Sequence, residues 1–89
     1  MIFIITYDLV EPGQRYQELI DLIKKNPGWA KLCDSSFLVK SEMTAVQLRD
    51  SLKVVLDSND KLFVGKVTAP AAWAGMSDEV SKWILEELK

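Results

Sequence analysis

The chain opens on Met1-Ile2-Phe3-Ile4-Ile5-Thr6-Tyr7, an almost unbroken apolar, β-branched and aromatic run, and the run stops at an acid, Asp8. Such a run predicts a buried strand over about residues 2–8. A strand of that kind needs a sheet around it. Asp8 itself has two readings. An Asp at the C-terminal edge of a buried strand either accepts backbone N–H groups in the following turn or begins a site.

Downstream, Pro12-Gly13 starts a turn into a helix whose stripe is Tyr16, Leu19, Ile20 and Ile23, spaced i, i+3, i+4, i+7. Lys24 and Lys25 are expected in its last turn, and Asn26-Pro27-Gly28 ends it. Residues 29–33 and 36–40 read as two short strands about a turn at Asp34-Ser35, or as one bulged strand. Thr44 with Gln47 forms a capping-box signature, and Ala45, Leu48, Leu52, Val55 and Leu56 continue that second helix. Asp57-Ser58-Asn59-Asp60 is a turn, and residues 61–67 are a strand. A calcium loop does not fit Asp57 and Asp60, because no glycine turn or distal glutamate follows at the required distances. Ser77 is the expected cap of a last helix with Met76, Val80, Trp83, Ile84 and Leu88 on its apolar face.

The predicted order is β-α-β-β-α-β with an added C-terminal helix. This is an α+β chain of ferredoxin-like plan, an antiparallel sheet with helices on one face. The other face is open unless a second copy, or the last helix with Trp73 and Trp83, covers it. At 89 residues the chain reads as one domain, residues 1–89, burying roughly 60–65% of its unfolded surface. Dimerisation would suit so small a core.

Composition narrows the chemistry. There is no histidine, which excludes His general-base catalysis, the Ser-His triad and His-ligated metals. Cys33 is the single cysteine, so neither an intrachain disulfide nor a cysteine zinc site is available. The lone cysteine, and an N-terminus that runs straight into a strand, lead us to expect a cytoplasmic protein. No apolar run is long enough to span a membrane. The net charge of −2 argues against avid nonspecific DNA binding.

Several of these residues together carry a resemblance. Tyr7-Asp8 at the end of the first strand, Gln14-Arg15-Tyr16 leading the helix, and Ser36-Phe37 after a polar turn resemble the small CRISPR-associated nuclease and spacer-integration subunit, whose scaffold the VapD-type ribonucleases share. Pro12-Gly13-Gln14, Ser36-Phe37-Leu38 and Ala72-Trp73-Ala74-Gly75 are most similar to its SinR-like branch. The resemblance implies a homodimer in which strand-end aspartates of two subunits face one another and hold a divalent ion, Mg²⁺ or Mn²⁺, with Asp8 as this chain's ligand. It implies metal-dependent hydrolysis of nucleic-acid or nucleotide phosphodiesters, with Asp8 and Ser36 at the reacting centre. Arg15, Lys31 and Lys40 are the cations offered to phosphate, and Tyr7, Phe37 and Trp73 the residues assigned to the dimer interface. Two differences open an alternative. Ser35-Ser36-Phe37-Leu38 has no acid where the family often has Ser-Val-Phe-Glu, and Arg15 is the only early basic residue of the first helix. A non-catalytic interaction or nucleotide-binding module on the same fold accommodates both.

Residue by residue, simpler roles compete. Tyr7 can pack with its hydroxyl at the surface, Ser36 can belong to the Asp34-Ser35 turn, and Arg15 can pair with Glu11 or Glu18 along its helix. Trp73 can pack on the sheet, and Cys33 can be a small core residue.

Overall fold

A computed structural model describes residues 1–10 and 14–88. The expected Pro12-Gly13 turn, with Glu11, lies outside the described residues. The elements are β1 (Ile2–Asp8), α1 (Gln14–Ile23), β2 (Gly28–Cys33), β3 (Ser36–Lys40), α2 (Ala45–Lys53), β4 (Lys61–Val67) and α3 (Asp78–Glu87). They form a small α+β fold around one four-stranded antiparallel sheet of order β2-β3-β1-β4.

β1 is interior to the sheet, paired with β3 on one side and β4 on the other. Its side chains alternate between two covered faces, which explains the unbroken apolar run. Phe3, Ile5 and Tyr7 point into the main core with Phe37, Val39, Leu19, Ile23, Leu48 and Leu52, beneath α1 and α2. Ile2 and Ile4 point the other way, into a smaller cluster with Leu38, Trp73, Trp83 and Ile84 of α3. A strand covered on one face only would have alternated with polar residues. The expectation of helices on one face therefore holds for α1 and α2, whereas α3 lies on the opposite face.

Element boundaries follow local chemistry. Thr44 caps α2 with the full capping box, its hydroxyl accepting from Gln47 N while the Gln47 side chain accepts from Thr44 N. Ser77 caps α3 by accepting from Val80 N, and Asp78 and Glu79 occupy its first turn, where negative charge complements the helix dipole. Residues 28–40 form two strands joined at Asp34-Ser35, with a bulge between Lys31 and Cys33. The two-strand reading of that stretch therefore holds and the single bulged strand does not, because β2 and β3 fold back and pair with each other.

Two helix ends fall short of expectation. α1 stops at Ile23, so Lys24 and Lys25 belong to the closing turn rather than to the helix. There the Asn26 side chain donates to the Ile23 carbonyl and competes with continued helix. α2 ends at Lys53 with Val54 as its cap. Val55 and Leu56 still pack on the core from the turn that follows.

Candidate functional site around Asp8

The C-terminal end of β1 and the N-terminal end of β4 meet at one rim of the sheet. Asp8 lies directly across from Lys61, and Thr6 across from Phe63 on one side and Ser36 on the other. All five belong to the face that α3 covers near Ile2 and Ile4. Toward the rim that cover gives out: Thr6 is half-buried and Asp8 is exposed. The Ser36 hydroxyl lies 3.1 Å from Thr6 Oγ1, within hydrogen-bond reach. The result is a shallow cleft of about 210 Å³ lined by Thr6, Tyr7, Asp8, Lys61, Leu62 and Phe63.

A carboxylate in the adjoining turn holds the rim in place. Asp60 accepts from Val10 N at 2.9 Å and from Asp57 N at 2.8 Å, tying the exit of β1 to the entry of β4. The Asp57 N–H bond first, then the Val10 bond and the nearby Arg15 charge, hold the Asp60 carboxyl below its ordinary value. A carboxyl whose pKa falls on folding stabilises the fold above its unfolded value and loses that contribution as pH drops through the folded one. The loss is therefore expected below about pH 4. Asp60→Asn, which keeps one acceptor where two are used, is expected to lower the melting temperature at pH 7. It should also flatten the acid limb of a Tm-versus-pH curve. An unchanged acid limb would remove Asp60 from this role.

The assigned site residues separate in space. Asp8 and Ser36 share the open face. Arg15 pairs with Asp57 in the turn before β4, rather than with Glu18 on its own helix. A cross-element partner was within reach because the start of α1 and the end of α2 lie at the same rim. Lys40 pairs with Glu87 at 3.1 Å and stands opposite Ile2, at the far end of β1. Lys31 is exposed on the outer strand β2. Arg15, Lys31 and Lys40 thus do not converge on Asp8.

Two residues assigned to an interface are interior to the subunit. Tyr7 is 5% exposed and Phe37 is fully buried, both in the core beneath α1 and α2. Strand alternation is the reason, since residues 3, 5 and 7 face the helices while 2, 4, 6 and 8 face away. Burial first, then the Tyr16 hydroxyl, pushes the Tyr7 phenol well above its ordinary range; Tyr7 and Tyr16 both donate to the Asp34 carbonyl. Trp73 is half-buried in the cluster with α3, and its indole N–H donates to Ser81 Oγ. Cys33, read as a core residue, is exposed beside the bulge.

Residues absent from the sequence-based site are present at the rim. Lys61 stands opposite Asp8, and Phe63 is 61% exposed on the same face. Period-two reading of residues 61–67 would have separated Phe63 from Leu62 and Val64, which pack on the main core. Nothing in the sequence pairs Lys61 with Asp8, because their adjacency is a matter of register.

Among the described residues, no three His, Cys, Asp or Glu side chains are grouped to hold a metal ion. Within one chain Asp8 is a single carboxylate. It fits a divalent ion only as part of a site completed by waters and a second copy. Among the described residues, too, no helix is long and apolar enough to cross a membrane.

No family model matches the chain, and no curated protein does. The fold is similar to the crystal structure of a hypothetical protein TT1823 from Thermus thermophilus, with a TM-score of 0.66 over 84% of this chain and 90% of that one. At 23% identity this likeness establishes a shared fold and nothing about activity.

Proposed function

We propose that this chain is a ferredoxin-like protein of the small CRISPR-associated nuclease type, working as a homodimer that hydrolyses nucleic-acid or nucleotide phosphodiesters with Mg²⁺ or Mn²⁺. The observation that carries the reading is Asp8, an exposed carboxylate at the end of an interior strand on the part of the sheet face that α3 leaves open. The strand order supports the scaffold: β3 lies between β1 and β2, and α1 and α2 each cross between strands, as in the ferredoxin-like plan. In a two-fold dimer the Asp8 carboxylates of two copies supply the pair of oxygen ligands that one chain lacks. A divalent ion held there would supply an activated water, so the absence of histidine does not forbid hydrolysis. Ser36, held against Thr6, offers a hydroxyl on the same face.

A non-catalytic interaction or nucleotide-binding module is the second reading. It is favoured by the dispersal of Arg15, Lys31 and Lys40, since phosphoryl transition states need cations close by. One titration separates the two. Mg²⁺ and Mn²⁺ are added to wild type and Asp8→Ala while melting temperature, oligomeric state by light scattering, and cleavage of labelled DNA and RNA are followed. The expected result is a wild-type dimer stabilised by metal, and metal-stimulated cleavage, with both effects lost in Asp8→Ala. A dimer indifferent to metal and inert toward nucleic acid would transfer the assignment to the interaction module.

A further inference from the structure

We propose that the rim of β4 beside Asp8 is a nucleobase-stacking site for single-stranded nucleic acid, with Phe63 as the platform and Lys61 and Lys53 as phosphate contacts. The proposal deepens the phosphodiester reading above and rests on it for the class of ligand.

Phe63 is a large aromatic side chain left 61% exposed on a sheet face whose other apolar residues are largely covered. Its placement depends on the residue two positions along the strand. The ring lies over Gly65, where a Cβ would stand 2.8 Å from Phe63 Cε1. A ring laid along a strand offers an aromatic surface on which a base can stack. Stacking of this kind tolerates every base, because each has a π-face.

The polar surroundings suit a nucleotide. Lys61 lies two residues from Phe63 in the 210 Å³ cleft, and Thr6 and Asp8 add a hydroxyl and a carboxylate, acceptors for the N–H groups of a base edge. Leu62 also lines a second, larger cleft of about 450 Å³ on the other side of β4, with Arg49, Lys53 and Ser58. The acids of that cleft are already engaged. Asp57 pairs with Arg15, and Asp60 is taken up by the N–H groups of Val10 and Asp57. Among the described residues, Lys53 and Lys61 have no ion-pair partner. A strand that stacks a base on Phe63 can therefore pass its backbone over Lys61 to Lys53 around the sheet edge. A duplex cannot, since its base faces are taken up by its own stack.

The test is fluorescence anisotropy of a labelled oligothymidylate, and of its duplex with oligoadenylate, in EDTA so that no cleavage intervenes. Wild type is expected to bind the single strand more tightly than the duplex. Phe63→Ala should weaken single-strand binding by roughly five- to a hundred-fold, and Phe63→Trp should retain it. Lys53→Gln with Lys61→Gln should reduce the slope of log affinity against log salt by about 1.4, two contacts at about 0.7 each. Melting curves of each variant verify the fold, and light scattering reads its oligomeric state. The proposal is overturned if wild type binds no single strand at low salt, if the duplex binds equally well, or if Phe63→Ala binds like wild type. It is also overturned if Phe63→Ala only splits a dimer at unchanged affinity, which would make the ring a contact between copies. Because this binding is read in EDTA and hydrolysis only with Mg²⁺ or Mn²⁺, failure of the hydrolytic reading and failure of the stacking site are separable.

Discussion

Phe37→Ala is expected to destabilise the fold by about 3–5 kcal/mol, the usual loss for a fully buried Phe reduced to Ala in a packed core. Phe37 sits in the main core with Phe3, Ile5, Leu19, Leu48 and Leu52, and Trp29 meets its ring edge-on at a centroid distance of 6.1 Å. It therefore joins both helices to the sheet, and no one element can shift to fill the space. A chain of this length has roughly 4–13 kcal/mol of total stability, so the variant loses a large share of it. Urea denaturation followed by circular dichroism measures the change as a shifted midpoint at unchanged slope. A loss below about 1 kcal/mol would mean that the site collapses freely, against the packing described.

Ile84→Ala is expected to cost about 2–5 kcal/mol in packing, but with a different signature. Ile84 is 3% exposed and is the buried residue through which α3 meets Ile2 and Leu38. That cluster is smaller than the main core and lies on the opposite face of the sheet. The helix is consequently the element most able to detach while the rest stays folded. Hydrogen exchange should show α3 amides losing protection first, with α1, α2 and β1 retaining theirs. Uniform loss of protection across the chain would show instead that α3 folds as one unit with the main core. Detachment would also bare Ile4 and enlarge the open face beside Asp8, so stability at α3 and access to the rim are coupled.

Much of the fold was legible because its signals are local. The apolar run of β1, the i, i+3, i+4, i+7 stripe of α1, the Thr44–Gln47 capping box and the Ser77 cap each depend on neighbours a few residues away. The turn role of Asp57 and Asp60 was legible for the same reason, although Asp60 also holds Val10, fifty residues distant in sequence. The ends of α1 and α2 were less legible, since both helices run on into turns in which Lys25, Val55 and Leu56 bond three residues back rather than four.

Of the residues assigned to catalysis or phosphate, only Asp8 and Ser36 share the open face. Tyr7 and Phe37 were assigned to an interface although strand alternation sends them beneath the helices. Arg15 was matched to Glu11 or Glu18, whereas its ion pair is with Asp57 in the turn before β4. Phe63 and Lys61 were not singled out at all.

The sequence by itself determined the kind and order of the elements, because helix stripes, strand alternation, caps and turns are written in spacings of two to four residues. Within these 89 residues it also excluded histidine chemistry and an intrachain disulfide. Only the tertiary structure decided which face α3 covers, which cations stand near Asp8 and which aromatic is left in solvent. Those outcomes depend on strand register and on which end of the sheet each loop reaches, and both are set by packing between residues far apart in the chain.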